Sequence, residues 1–261
     1  MSESSRLPAL FIGHGSPTNA IDDNAFTRAW AAVARRFATP RAILCVSAHW
    51  ETKGTLVTAS PAPRTIHDFY NFPQALYDIT YPAPGDPTLA KKIESLLAPG
   101  ARADLDGWGL DHGAWSILRH MYPDADVPVL QLSLDIRCAP AQHYEIGHKL
   151  AALRDDGVLL LGSGNIVHNL RQFRRDGAPP ADWALRFNDW AKARMEARDH
   201  AALVDYESLG ADARLAVPES EHFLPLLYVL ATQTEAEPVT FFADAVTSSI
   251  SMTSVGVGLP N

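Results

Sequence analysis

Cysteine is scarce: Cys45 and Cys138 are the only two in 261 residues, too few to staple a chain of this length as a disulfide scaffold. No apolar run is long enough to span a bilayer. The first residues, Met1-Ser2-Glu3-Ser4-Ser5-Arg6, lack the apolar stretch of a signal peptide. The expectation is no membrane partner and a cytoplasmic location. Positive charge is also short, with 22 Lys and Arg against 30 Asp and Glu, a net charge of −8 and a pI near 5.6. That balance argues against the basic stripe of a nucleic-acid-binding surface. Internal repeats, charge-rich linkers and low-complexity tracts are absent, so a single domain over residues 1–261 is expected. Nothing in the sequence sets an oligomeric state.

Several compact signatures are missing too. There is no His-Glu-x-x-His helix and no Cys/His spacing of a structural zinc site. Gly13-His14-Gly15-Ser16-Pro17 does not match the Gly-x-Ser-x-Gly nucleophile elbow, and Ser16 reads as a cap or turn hydroxyl. Gly162-Ser163-Gly164 resembles half of a dinucleotide fingerprint, but Val167 stands where the third glycine would be.

What is present is an ordinary globular composition, 47% hydrophobic and 20% charged, in which short apolar runs alternate with helical patterns. That alternation predicts an α/β fold, a central mostly parallel sheet flanked by helices. Strands are expected at Ala9–Ile12, Ala42–Ser47, Thr55–Thr58, Val127–Leu134, Val158–Leu161 and Val239–Phe242, with another in Ser249–Gly258. Helical faces are marked by Phe26, Trp30, Val33 and Phe37, then by Leu89, Ile93 and Leu96 after the Asp86-Pro87 start. A third helix runs from Pro140 to a stop at Gly157. Trp183, Phe187, Trp190 and Met195 mark a fourth, and Phe223, Leu226, Leu227 and Leu230 a fifth with His222 in its first turn. The least regular stretch, Ser60–Pro84, is dense in proline and aromatics, and long loops in compact domains are often functional.

Four histidines stand at element ends. His14 follows Ala9–Ile12, and His49 follows the run Ala42–Val46. His168 comes after Val158–Leu161 and the turn Gly162-Ser163-Gly164-Asn165, and His222 opens a helix. In an open α/β sheet the carboxyl ends of the strands form one rim, where ligands bind. Histidines delivered separately to that rim suggest a metal site, because neutral imidazole suits zinc, copper, iron and nickel. His14, His49 and His222 are the preferred ligands, with Trp50 and Phe223 as apolar walls and Glu219 or Glu221 near enough to ligate or to orient His222. Asn165 is expected to cap a helix, placing His168 in its first turn, where the positive helix end disfavours imidazolium. His168 is then a neutral base or a fourth ligand, and His112, in Leu110-Asp111-His112-Gly113, a second acid/base candidate. Asp111 reads as a cap. His120, His143 and His148 read as structural, surface or packing residues and His200 as solvated. His67 is open between pocket lining and packing. A single histidine is more often an ordinary polar residue than a ligand, and the common placement carries the reading.

At these motifs the chain resembles the class III extradiol ring-cleavage dioxygenases, in the single-chain branch acting on DOPA-type catechols. The resemblance runs through Gly13-His14-Gly15-Ser16-Pro17, Ser47-Ala48-His49-Trp50, His67-Asp68-Phe69-Tyr70, Leu110-Asp111-His112-Gly113, Gly162-Ser163-Gly164 with His168, and Glu221-His222-Phe223. It implies a mononuclear non-haem metal, usually Fe(II), and insertion of both atoms of O2 into a catechol to give a ring-opened semialdehyde. It implies His14, His49 and His222 as metal ligands, His168 as acid/base or further metal contact, and His112 on the substrate side. Many extradiol enzymes use two histidines and a carboxylate. A three-histidine set would also hold Zn(II) well. Two rivals share the residues: a zinc hydrolase with metal-bound water as nucleophile, and a non-enzymatic metal-binding protein.

Overall fold

A computed structural model describes residues 6–105, 107–174 and 179–260. The N-terminal stretch read for a signal peptide lies, up to residue 5, outside the described residues. In chain order the elements begin with β1 (Ala9–Gly13), α1 (Ala25–Val33), β2 (Ala42–Thr52), β3 (Thr55–Thr58), α2 (Gln74–Tyr77), α3 (Pro87–Leu96) and β4 (Ala101–Asp104). They continue with α4 (His112–Met121), β5 (Val129–Asp135), α5 (Pro140–Leu150), β6 (Val158–Gly164), α6 (Asp182–Glu196), α7 (His200–Val204) and α8 (Ala211–Ala216). The last are α9 (Leu224–Leu230), β7 (Val239–Ala243), β8 (Val246–Thr247), β9 (Ile250–Ser251) and β10 (Ser254–Val257).

The eight-stranded sheet runs β4-β3-β5-β2-β6-β1-β10-β7. Its centre, β5-β2-β6-β1, is parallel throughout, whereas β10 and β7 close one side antiparallel. On the other side β3 turns against β5, and β4 runs parallel to β3. The central strands are apolar on both faces because both are covered. Phe11, Leu44, Val46 and Leu160 pack toward a core with Leu150, Phe187, Leu226 and Leu227. Leu10, Ile12, Ile43, Cys45 and Leu161 face a second core with Trp30, Trp115 and Leu118.

Capping follows the sequence. Asn24 starts α1 with a reciprocal capping box, and Asp86 caps α3 ahead of Pro87. Asp111 caps α4 by accepting from the Ala114 N–H. Phe37 falls beyond α1 and a short 3₁₀ turn. Between residues 60 and 84 the one helix is α2, so the irregular stretch is a long loop as expected. No described helix is long and apolar enough to cross a membrane.

Candidate metal centre

Strand β6 lies between β1 and β2, and this order assembles the site. His14 continues β1, its N–H donating to the Gly164 carbonyl at 3.0 Å. His49 arrives from β2, two strands away. Neighbouring strands lie about 4.8 Å apart, so the two rings can meet only above the end of β6, where the sequence is Gly162-Ser163-Gly164. A Cβ on Gly164 would stand 2.1 Å from the His222 carbonyl oxygen. That missing side chain is what lets the His222 turn cross the sheet end, and the Asn165 N–H secures it by donating to His222 O at 2.9 Å.

Several local expectations are corrected. β2 does not stop at Ser47; it runs to Thr52, with its pairing to β5 shifted between Val46 and Glu51. His49 sits in that irregular stretch, and irregular strand segments re-aim side chains beside active sites. Gly162–Gly164 is not a turn but the end of β6. Asn165 does not cap a helix: its side-chain amide donates to Ser251 O at 2.7 Å. His168 is in extended backbone, bridged to Ile250, with its N–H on Ala216 O at 2.8 Å. His222 precedes α9 rather than lying in its first turn. Trp50 stacks on Trp108, and Phe223 is buried against Phe187 and Tyr206. The aromatic walls of the cleft are instead Phe69, Tyr70, Phe72 and Phe173.

The five candidate histidines do come together, at the floor of a cleft of about 1130 Å³. Ring centres lie 5.0 Å apart for His14 and His49, 5.3 Å for His14 and His222 and 5.1 Å for His49 and His222. His112 is closer to His49, at 4.0 Å, and His168 stacks on His222 at 3.5 Å. The possible ligand atoms of His14, His49 and His112 lie within 4.8 Å of one another, as do those of His168, Glu221 and His222. The Nε2 atoms of His14 and His49 are 3.1 Å apart.

Outer contacts hold the Nδ1 atoms. His14 Nδ1 meets Ser163 Oγ at 2.9 Å, and His222 Nδ1 meets Glu221 at 2.9 Å. Asp68 serves two rings, at 2.9 Å from His112 Nδ1 and 3.5 Å from His49 Nδ1, and also accepts the His112 backbone N–H. Glu219 instead pairs with Arg171 at the exposed mouth.

Burial keeps His14, His49, His168 and His222 neutral. It pushes His14, His49 and His222 well below the ordinary histidine value, and the neighbouring rings add to the shift. Asp68 opposes it at His49. Burial, with His112 adding, lowers His168 to about 4, so its neutrality has another cause than the helix end expected. Burial raises Glu221 to about 7. Burial and the charge of Asp68 raise Asp111 to about 6 against hydrogen bonds from Gln131 and Ser47. Asp68 runs the other way: burial alone would raise it, but His112 and His49 hold it below the usual carboxylate range.

The remaining histidines lie outside the cluster. His120 meets Asn19 O, and His143 meets the Tyr228 hydroxyl in the core. His200 is not simply solvated, since it bridges Tyr144 and Gln233. His67 meets Ile79 O among Phe69, Tyr77 and Trp115, which resolves it as a packing residue. Asp68 and Ser163 fall in motifs that carry the family resemblance, but the sequence assigned neither a role in the site. A carboxylate or hydroxyl that orients an imidazole shows itself only through spatial contact.

Residues 8–259 match the family model described as the catalytic LigB subunit of aromatic ring-opening dioxygenase. The chain belongs to this family. Among relatives of this dioxygenase, the 4,5-DOPA dioxygenase extradiol of Escherichia coli K12 is 48% identical, over 98% of this chain and 96% of the relative. A protein of the same description from Beta vulgaris is 40% identical over 86% of each chain. The crystal structure of an uncharacterized protein from Escherichia coli K12 superposes with a TM-score of 0.85 at 45% identity, covering 97% of this chain and 100% of that one. This dioxygenase is therefore an extradiol oxidoreductase that opens aromatic rings with O2. Family and histidine cluster together indicate a metal site. A hydrolase and a non-enzymatic metal binder are set aside by the family match.

Proposed function

We propose that the enzyme opens the ring of DOPA or a similar catechol at a mononuclear Fe(II) centre held by His14, His49 and His222. The carrying observation is the spacing of the three rings. An imidazole bound through nitrogen at about 2.0–2.1 Å separates its ring centre from that of a second ligand on the same ion by roughly 5 Å. The three pairs lie at 5.0, 5.1 and 5.3 Å. His49 with His112 at 4.0 Å, and the stacked His168 and His222 at 3.5 Å, are closer than two ligands of one ion would be. That favours His222 as third ligand and leaves His112 and His168 for proton chemistry. The donor set also fits Zn(II), which would compete for the site.

An Fe(II) ion held by His14, His49 and His222 would supply Lewis acidity and redox chemistry toward a catechol and O2. The chain supplies the rest. Neutral His168 has a lone pair to take a phenolic proton, and as imidazolium it can return that proton later in the turnover. His112, with Nδ1 tied to Asp68, leaves its Nε2 free for proton exchange in the same cleft. Phe69, Phe72 and Phe173 provide an apolar slot for the ring, restricting its orientation and excluding water. The matched span works as one catalytic domain. A cytoplasmic location suits its free Cys45 and Cys138.

Anaerobic Fe(II)-loaded enzyme mixed with DOPA and then O2 should give a yellow ring-opened product. No product across a panel of DOPA, caffeate and protocatechuate would end this reading.

A further inference from the structure

We propose that Ser163 is a positioning residue that fixes the tautomer of His14, so that Nε2 presents its lone pair to the centre. The inference rests on reading His14 as a metal ligand. Ser163 Oγ stands 2.6 Å from the Gly113 carbonyl oxygen and 2.9 Å from His14 Nδ1. Two oxygens at 2.6 Å need a proton between them. A carbonyl has none, so the hydroxyl proton of Ser163 is committed to Gly113. Toward His14 the hydroxyl can then only accept, and Nδ1 carries the hydrogen. A neutral imidazole with Nδ1–H has an unprotonated Nε2.

The fold makes this contact hard to avoid. Ser163 pairs with Ile12 of β1 and Ser47 of β2 and is fully buried, so no water competes for its proton. The carbonyl reaches it because residue 113 has no side chain. A Cβ there would stand 2.6 Å from Ser47 Oγ, 3.0 Å from the His49 ring and 3.1 Å from Ser163 Oγ. Thus Gly113 at the start of α4 directs a proton on β6, which sets the state of a histidine on β1. Outer partners of metal-binding histidines commonly fix the tautomer in this way, and losing one typically costs about 10–100-fold in metal affinity.

The test uses metal-free protein with ¹⁵N-labelled histidine, read by two-bond ¹H–¹⁵N correlation, with His14→Gln to assign the signal. His14 should show a protonated Nδ1 and an unprotonated Nε2. Ser163→Ala should move His14 toward the Nε2–H form. It should weaken zinc binding, measured by competition with a chromophoric chelator, by about 10–100-fold. Ser163→Thr, which keeps the hydroxyl, should restore both readouts. A merely structural serine would change the melting temperature and leave the tautomer alone. An Nε2–H form of His14 in the unmodified protein would overturn the proposal even if Ser163→Ala failed to fold, as would an unchanged tautomer and affinity in a folded Ser163→Ala. Failure of the unmodified protein to bind zinc would instead overturn the metal-site reading, which the tautomer signal tests separately.

Discussion

Replacing Asp68 by asparagine removes the charge that orients two imidazoles while keeping the size of the side chain. Asp68 touches His112 through ring and backbone and lies within 3.5 Å of His49. Loss of such a partner typically costs about 10–100-fold in metal affinity or activity. Asp68→Asn should therefore lower kcat/KM by that range with the fold intact, and steady-state kinetics beside circular dichroism will show it. His168→Ala should separate differently, retaining iron at wild-type stoichiometry while losing at least about 100-fold in turnover, the usual scale of a general acid–base. Loss of iron in that variant would make His168 a ligand. The candidate histidines were legible because each stands at the end or the start of an element that apolar patterning marks. Asp68 and Ser163 were not, because their partners are 44 and 149 residues away, and neither residue type is unusual in a loop or strand.

At the level of elements, apolar patterning located the strands but not their ends at the site. β2 and β6 both continue past their apolar runs, into Ala48-His49-Trp50 and Gly162-Ser163-Gly164. Polar and small residues there face the centre rather than solvent, so they read as turn. His168 was misplaced for a related reason: Asn165 is a good cap by type, but the chain after it bridges to Ile250 at His168 instead of entering a helix. The close approach of β6 to the His222 turn makes a sharp prediction. A Cβ at residue 164 would fall 2.1 Å from a backbone oxygen, so Gly164→Ala must push the turn away. The variant should lose metal occupancy by elemental analysis more severely than it loses secondary structure. Full occupancy would contradict the role given to this contact.

Across the whole molecule, the sheet order β2-β6-β1 is what sequence patterning could not supply. It fixes the distance between His14 and His49 and leaves β6 as the floor. Away from the site, buried Arg154 ties Leu7 O, Thr232 O, Val257 O and the Glu237 carboxylate together. Arg154 is fully buried and Glu237 only partly so; losing the carboxylate charge leaves the guanidinium underpaired, so Glu237→Gln should measurably lower stability in urea unfolding. Burial alone would raise Glu237, but Arg154 holds it below its usual value. A depressed carboxylate adds stability that is complete above the unfolded value and fades as pH falls through the folded one. The buried histidines give a second window. His143 and His168 are each lowered by burial to about 4, so the unfolded chain binds protons first as pH falls below about 6.5. Metal-free protein should lose stability progressively from there down to about pH 4, as thermal melts across that range will show.

The central claim is that one metal ion sits among His14, His49 and His222, with His112 and His168 beside it. Anomalous scattering at the iron edge, from a crystal loaded with Fe(II) under anaerobic conditions, tests it most directly. A single peak within about 2.0–2.3 Å of the three Nε2 atoms is the predicted result. A peak shared by His14, His49 and His112 without His222, or no peak at the cleft floor, would contradict it.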